Sequence, residues 1–300
     1  MGLLFPLGRL SHMKALGSCA RTVPALGLAA WLLLATGAWA ASPALSASKP
    51  APDKAAVDLL SHRAIYDMSL IKVSQSDGVR AATGTMIYTL TDRCDGYTIE
   101  TNLSLNLAFA NGNENQIEQK YVAWEAKDGR SSTFRFQVLE NGKLSKAYHG
   151  TVKFREDGTG TATYEAENVS IFDLTRGTLL STGHTLALLK SATANEQFMS
   201  KLVIDGSFDE GPFWITAAIA PSQKGGVVPV KGAPGLLSEG RYWPIGMAYF
   251  PATSVQPIPE YEISQNLLGT GITRSMVQDF GGFTLAFNPV RMEPVTAPPC

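Results

Sequence analysis

The segment Ala64-Ile65-Tyr66-Asp67-Met68-Ser69-Leu70-Ile71 alternates two sets of side chains. Successive side chains of a β-strand point to opposite faces, so Ala64, Tyr66, Met68 and Leu70 would share one face. A helix would instead need apolar residues three and four positions apart. This period of two predicts a β-strand at the start of the folded part of the chain.

The same alternation recurs along the sequence and predicts a mostly β fold. Met86-Ile87-Tyr88-Thr89-Leu90 is rich in β-branched and aromatic residues, and Asn141-Gly142 is one of several dipeptides that favour tight hairpins. These dipeptides recur every 13 to 18 residues or so, a rhythm typical of antiparallel strands joined in sequence. The predicted strands are 62–73, 79–90, 96–108, 114–126, 131–140, 143–154, 159–166, 197–205, 212–220, 242–250, 259–268, 271–279 and 282–293.

Helices are expected at few positions. Thr182 to Ala194 is the best helix candidate, with Ser181 or Thr182 as its cap. A shorter helix is expected near Lys54 to Leu60, and residues 221–240 hold many Gly and Pro and predict a long loop. So many sequential strands must hide their edges, which favours a long antiparallel sheet that is closed or coiled, with one or two short helices.

The N-terminus has the pattern of an export signal. An apolar run, Ala25 to Ala38, follows Lys14 and Arg21, and Ala38-Trp39-Ala40 has the small residues that signal peptidase recognises. We therefore expect residues 1–40 to be cleaved, whether translation starts at Met1 or Met13, with a retained anchor as the alternative. Residues 41–57 are rich in Pro, Ala and Ser and predict a disordered tether, and 58–300 predict a single domain.

Charge argues against nucleic-acid binding. Residues 1–40 contain three of the 25 basic residues and none of the 26 acidic ones, so the mature chain has a formal charge of −4. It has no basic stripe of the kind that binds phosphate backbones. No later apolar stretch approaches the length of a membrane span.

The mature chain keeps two cysteines, Cys94 and Cys300. In an oxidising compartment such a pair predicts a disulfide, and a catalytic thiol is the competing interpretation. Neither cysteine has a neighbouring His in the sequence, and Cys300 ends the Pro-rich tail Ala297-Pro298-Pro299.

Several blocks of the sequence resemble the EipB-like cell-envelope integrity proteins of alphaproteobacteria. The blocks occur in the family's order over roughly residues 58–300, and the Trp-Pro block and the cysteine pair are the specific ones. They are Leu60–Leu70, Cys94-Asp95-Gly96-Tyr97-Thr98, Ile204-Asp205-Gly206-Ser207, Tyr242–Phe250, Gly271-Ile272-Thr273-Arg274 and the terminal Cys300.

The resemblance implies a periplasmic β-spiral, with one disulfide between Cys94 and Cys300 and some likeness to lipid- and lipoprotein-carrier folds. It implies a role in envelope integrity, with a periplasmic tetratricopeptide-repeat protein as a candidate partner. The family has no defined molecular activity, so it transfers no catalytic residue, and no cofactor is expected.

An aromatic cluster is the candidate ligand cavity or its mouth. Core packing is the alternative explanation for these side chains. Pro244 lacks a backbone donor, so it is expected at an edge or bulge. The candidate residues are Tyr242, Trp243, Pro244, Tyr249, Phe250, Phe213 and Trp214.

The remaining polar residues support weaker hypotheses. Asp205, Asp209 and Glu210 form the densest acidic loop, a weak Ca²⁺ candidate that lacks EF-hand spacing and is more simply a solvated turn. His62, His149 and His184 show no metal-ligand spacing and no accompanying Gly-x-Ser-x-Gly. No catalytic or metal-binding residue is predicted.

Three functions remain open at this stage. The first is a non-enzymatic periplasmic protein that supports the envelope by binding a lipid or other apolar ligand, or a protein partner. The second is an envelope hydrolase or transferase acting on lipid or glycan. The third is an interaction module that recruits a partner through a sheet edge.

Overall fold

The computed structural model describes residues 58–74, 78–238, 240–254 and 258–300. The predicted signal peptide and tether lie outside these ranges, as does most of the predicted helix Lys54–Leu60. The described end of that helix, residues 58–60, is not helical, so the prediction is wrong there. Leu60 instead donates its backbone N–H to the carbonyl of Thr270 at 2.9 Å, which docks this segment against the second half of the chain.

In the described first half of the chain, strands follow one another without a helix. The prediction missed the last of them because Val169, Ser170 and Ile171 are all exposed and show no buried alternation. The strands are β1 His62–Val73, β2 Val79–Asp92, β3 Gly96–Phe109, β4 Glu114–Ala126, β5 Ser131–Glu140, β6 Lys143–Phe154, β7 Gly160–Glu165 and β8 Val169–Leu174.

The second half begins with the predicted helix, and two very short strands and a helical turn lie in the predicted loop 221–240. The elements are α1 Ser181–Thr193, β9 Phe198–Val203, β10 Phe213–Ile219, β11 Gln223–Lys224, β12 Lys231–Gly232, α2 Gly235–Ser238, β13 Arg241–Pro251, β14 Tyr261–Leu268, β15 Thr273–Asp279 and β16 Phe283–Pro294. No helix of the described ranges is long and apolar enough to cross a membrane.

All the described strands belong to one sheet. Its order runs β8-β7-β6-β5-β4-β3-β2-β1-β16-β15-β14-β13-β10-β9, so the first strand pairs with the last and the two ends of the sheet are β8 and β9. β11 pairs with β13, and β12 runs parallel to β16 beside this otherwise antiparallel path. The predicted fold class, a long antiparallel sheet coiled into an open, barrel-like structure with short helices, is confirmed.

The alternation that predicted the strands also defines the core. On β1, Ala64, Tyr66 and Met68 are buried while Asp67 is exposed. The inward side chains of both halves form one continuous cluster of buried apolar residues. The concave side of the coiled sheet is therefore filled with side chains.

Candidate functional site

The predicted aromatic cluster is divided between the two faces of the sheet. On β13, Trp243 and Tyr249 point into the core, and Tyr249 stacks on Tyr261 with ring centroids 4.4 Å apart. Phe213 on β10 is also buried, 4.8 Å from the ring of Phe208. These three residues pack the core, the alternative that the sequence left open.

The other four candidates face outward. Tyr242, Pro244 and Phe250 are half-buried on the outer face of β13, and Trp214 on β10 is 47% exposed. The Tyr242 hydroxyl donates to Gln223 at 2.5 Å, and Arg274 lies over its ring. Only this outward set lies on a surface that a partner can reach.

A groove of about 520 Å³ crosses this outer face over β10, β13, β14 and β15. Pro244 and Gly246 lie at its centre, Ala218 and Pro221 on one side, and Asn266 and Val277 on the other. Among the described residues that line it there is no Asp, Glu, Lys, Arg or His. The groove is therefore suited to an uncharged occupant.

Small residues and a break in the strand ladder create the groove. A Cβ added at Gly246 would meet no atom within 4 Å, so the space beside this glycine is open. Pro244 accepts a hydrogen bond from the N–H of Ala220 at 2.9 Å, so its nitrogen faces the gap between the end of β10 at Ile219 and the start of β11 at Gln223. The expectation of an edge or bulge is therefore wrong, because Pro244 lies inside β13, which pairs with β10 and β14, next to the point where the β10 ladder ends.

One end of the groove reaches the end of the sheet. Phe198 on β9 lines the groove and is 73% exposed. β9 pairs with β10 on one side, and on its other side a bridge from Leu179 reaches only its last residues. Gly246 and Phe198 were not predicted from the sequence as site residues. Gly246 carried a signal, because a glycine inside a predicted strand often marks a place where a ligand or another backbone comes close.

A second site, which is polar, lies inside the sheet, in the loop of residues 204–212 between β9 and β10. Asp205 is buried, and its Oδ1 accepts hydrogen bonds from the N–H and the hydroxyl of Ser207 at 2.9 and 2.8 Å. Its Oδ2 is buried without a hydrogen-bond partner, and burial raises the pKa of this carboxyl to about 7. The solvated turn expected here is therefore wrong for Asp205.

The weak Ca²⁺ candidate is not assembled in this loop. Asp209 pairs with Lys146 at 2.6 Å, while Asp205 points inward to Ser207. Glu210 is half-buried beside them. Within the described ranges no three His, Cys, Asp or Glu residues are arranged to hold a metal ion.

Glu125 on β4 is a buried carboxylate that caps helix α1 from a distance. It accepts hydrogen bonds from the backbone N–H of Ser181 at 3.2 Å and of Thr182 at 2.7 Å, and from the Thr182 hydroxyl at 2.6 Å. Burial raises its pKa, and these bonds oppose that shift. The predicted caps Ser181 and Thr182 are thus the first helical residues, and the N-cap is Leu180 without a side-chain bond.

Cys94 and Cys300 are joined by a disulfide, with their Cα atoms 5.7 Å apart. Cys94 has a φ of +66° in the turn between β2 and β3, and both cysteines are exposed. Gly96 begins β3, as the predicted strand 96–108 has it, and a Cβ there would lie 2.5 Å from the Trp124 ring. The bond ties this turn to the tail that follows β16.

The three histidines that the structure describes do not form a catalytic arrangement. His62 is buried at the start of β1, and its Nδ1 lies 2.7 Å from the Leu60 carbonyl, as expected for a hydrogen bond at a strand start. Burial lowers the pKa of His62 to about 4 and that of His184, under helix α1, to about 3. Both are held neutral inside the core, and His149 lies on the exposed face of β6 near Glu165.

The family model for EipB-like proteins matches residues 53–295, most of the chain. This protein belongs to the EipB-like family. The cell envelope integrity protein EipB of Brucella abortus (strain 2308) is 28% identical to this EipB-like chain over 240 residues, which cover 79% of this chain and 85% of that protein. A crystal structure of a β-barrel-like protein of a domain of unknown function from Brucella abortus matches it with a TM-score of 0.73 at 27% identity, covering 80% of this chain and all of that one.

Proposed function

We propose that this EipB-like protein maintains the integrity of the cell envelope by holding an extended, uncharged segment of a protein partner in its outer groove. It works in the periplasm after residues 1–40 are removed, and it uses no catalytic step. The envelope role rests on the name of the Brucella relative. The observation that carries the binding mode is the open space beside Gly246, which continues to the end of the sheet at β9.

The chemistry of the groove supports a polypeptide occupant. Ser264 and Asn266 bring neutral hydrogen-bonding groups to the lining, beside apolar Pro244 and Val277. An acyl chain would leave such groups without partners, whereas a peptide backbone can bond to them. The edge of β9 offers further backbone donors and acceptors of the kind that an added strand uses.

An apolar ligand inside the sheet is less well supported. The concave side is filled by one continuous cluster of side chains, so a lipid would have to displace them. No observation on the described residues favours the hydrolase or transferase hypothesis, because His62 and His184 are buried away from solvent.

Filling the groove tests the proposal. Gly246→Phe adds a ring where no atom lies within 4 Å of the new Cβ, so the fold should tolerate it. The first partner to test is the periplasmic tetratricopeptide-repeat protein implied by the family resemblance, purified and titrated calorimetrically into the mature protein. Because the ring occupies the groove, we expect binding to weaken by about tenfold or more, which is about 1.4 kcal/mol.

Asn102→Phe is the matched control. Asn102 is exposed on the outer face of β3, so this variant adds the same ring to the same sheet without entering the groove. It should bind as the unsubstituted protein does. Equal affinity of the two variants, with unchanged melting curves, would contradict the groove as the binding site.

A further inference from the structure

The loop of residues 204–212 packs across the space between the two halves of the sheet. It follows β9, one end of the sheet, and its Gly211 lies against Phe172 on β8, the other end: a Cβ at Gly211 would be 2.6 Å from that ring. Gly206, at φ +77°, approaches Phe134 on β5 equally closely. A side chain at either glycine would displace a ring, so the loop fits only in this tight form.

The loop covers a space bordered by Phe134, Tyr148, Tyr164 and Tyr261, which we call the aromatic seam. Phe208 of the loop packs into this seam on the side of the second half of the sheet. Its ring stacks on Tyr261 of β14 with centroids 5.7 Å apart, and it is almost fully buried. The loop thus places Phe208 against rings of the second half, Phe213 and Tyr261, and its two glycines against rings of the first half on β5 and β8. At the rim, the ion pair between Asp209 and Lys146 of β6 holds the loop closed.

The polar atoms of this seam are incompletely satisfied. Asp205 Oδ2 and the hydroxyls of Tyr148, Tyr164 and Tyr261 are all buried without a hydrogen-bond partner. Ser207 bonds only to Oδ1 of Asp205, and the Tyr121 hydroxyl donates to the backbone carbonyl of Asp205 rather than to its carboxyl. Buried polar groups without partners are unusual in a native core and favour any state in which the loop is solvated.

Apart from the N–H and the hydroxyl of Ser207, the described groups that interact with Asp205 are acidic or phenolic. No described cation is among the groups that shift its pKa. The ammonium of Lys146 on β6 is paired with Asp209. The interacting groups are Tyr121 and Glu125 on β4, Tyr148 on β6, Tyr164 on β7, Tyr249 on β13 and Tyr261 on β14, and Asp209 and Glu210 lie in the same loop.

We propose that the loop of residues 204–212 is a proton-controlled plug: it seals the aromatic seam while Asp205 is protonated, and ionisation of Asp205 releases it and exposes the rings that it covers. The released loop would leave a cleft lined by Phe134, Tyr148, Tyr164 and Tyr261, with unpaired hydroxyls at its base. This site is inside the sheet and is separate from the outer groove.

The direction of the pH effect follows from the two states of Asp205. In the closed loop its pKa is about 7, because burial disfavours the carboxylate, and in an open, solvated loop it returns to about 4. Between these values the closed form binds the extra proton, so each pH unit upward favours opening by about tenfold. Above about pH 7 and below about pH 4 the opening equilibrium no longer changes with pH.

Hydrogen exchange of the mature protein between pH 5 and 8 tests the proposal. After correction for intrinsic exchange, amides of residues 205–211 should lose protection by about tenfold per pH unit from pH 5 to 7 and then level off. Asp205→Asn removes the titration and should abolish this loss. Asp209→Asn is the matched control in the same loop, and it should lower protection at every pH while keeping the pH dependence.

A wild-type loop whose protection does not change from pH 5 to 7 would overturn the proposal, whatever the variants do. So would a pH dependence that survives in Asp205→Asn. Gly206→Ala gives a second readout, because its methyl group forces the loop off Phe134. At pH 5 this variant should bind the apolar dye bis-ANS as strongly as the wild type does at pH 8. Equally weak dye binding by the variant and the wild type at pH 5 would also overturn the proposal.

Discussion

At the residue scale, the two buried carboxyls explain most of what the sequence did not predict. Asp205 lies in a run of acidic residues that predicted a solvated turn, but Ile204 and Phe208 beside it are apolar and carry it inward. The tyrosines around it come from five different strands, so their convergence depends on long-range pairing that local patterns do not encode. Glu125 lies on the face of β4 opposite Glu118, and nothing in the sequence linked it to a helix 56 residues away.

Removing the Glu125 carboxylate should destabilise the protein. In Glu125→Ala the N–H groups of Ser181 and Thr182 lose their acceptor inside the core, and we expect the free energy of unfolding to fall by about 2 to 3 kcal/mol. Urea denaturation followed by circular dichroism measures this. Glu118→Ala, on the outer face of the same strand, should change it by no more than about 0.5 kcal/mol. Equal midpoints for the two variants would contradict the capping role.

At the element scale, alternation predicted long strands well and short ones poorly. β1, β4, β5 and β6 have the predicted bounds, and on each of them buried residues alternate with exposed or half-buried ones over at least part of the strand. β8 was missed because an edge strand with both faces partly exposed has no such pattern. The groove was missed for a related reason: it depends on a side chain that is absent at Gly246 and small at Ala218, and on the end of the β10 ladder beside Pro244.

At the scale of the whole molecule, the pairing of strands that follow one another was predictable. The pairing of β1 with β16, which joins the two halves of the sheet, was not. Short hairpins fix neighbouring strands, but the pairing of β1 with β16 joins residues more than 200 positions apart. The disulfide reinforces this junction of the two halves, because it links the residues that follow β2 and β16, the two neighbours of β1. It closes a loop with a sequence separation of 206.

Breaking the disulfide should therefore lower the stability of the whole sheet. In Cys94→Ser, or after mild reduction, the unfolded chain gains freedom that a loop of this length had restricted. The entropy model sets an upper value of about 5 kcal/mol, and we expect about 2 to 4, a loss of several degrees in Tm. Differential scanning calorimetry measures this change. An unchanged melting curve would show that strand pairing alone holds this junction.

If the outer groove beside Gly246 performs the envelope role, filling the groove should abolish that role. Growth of a deletion strain in detergent measures this. The strain would carry the wild-type gene, Gly246→Phe or Asn102→Phe, each at equal protein level. We expect the wild type and Asn102→Phe to restore detergent resistance and Gly246→Phe to leave the strain sensitive. Full resistance with Gly246→Phe would contradict this role of the groove.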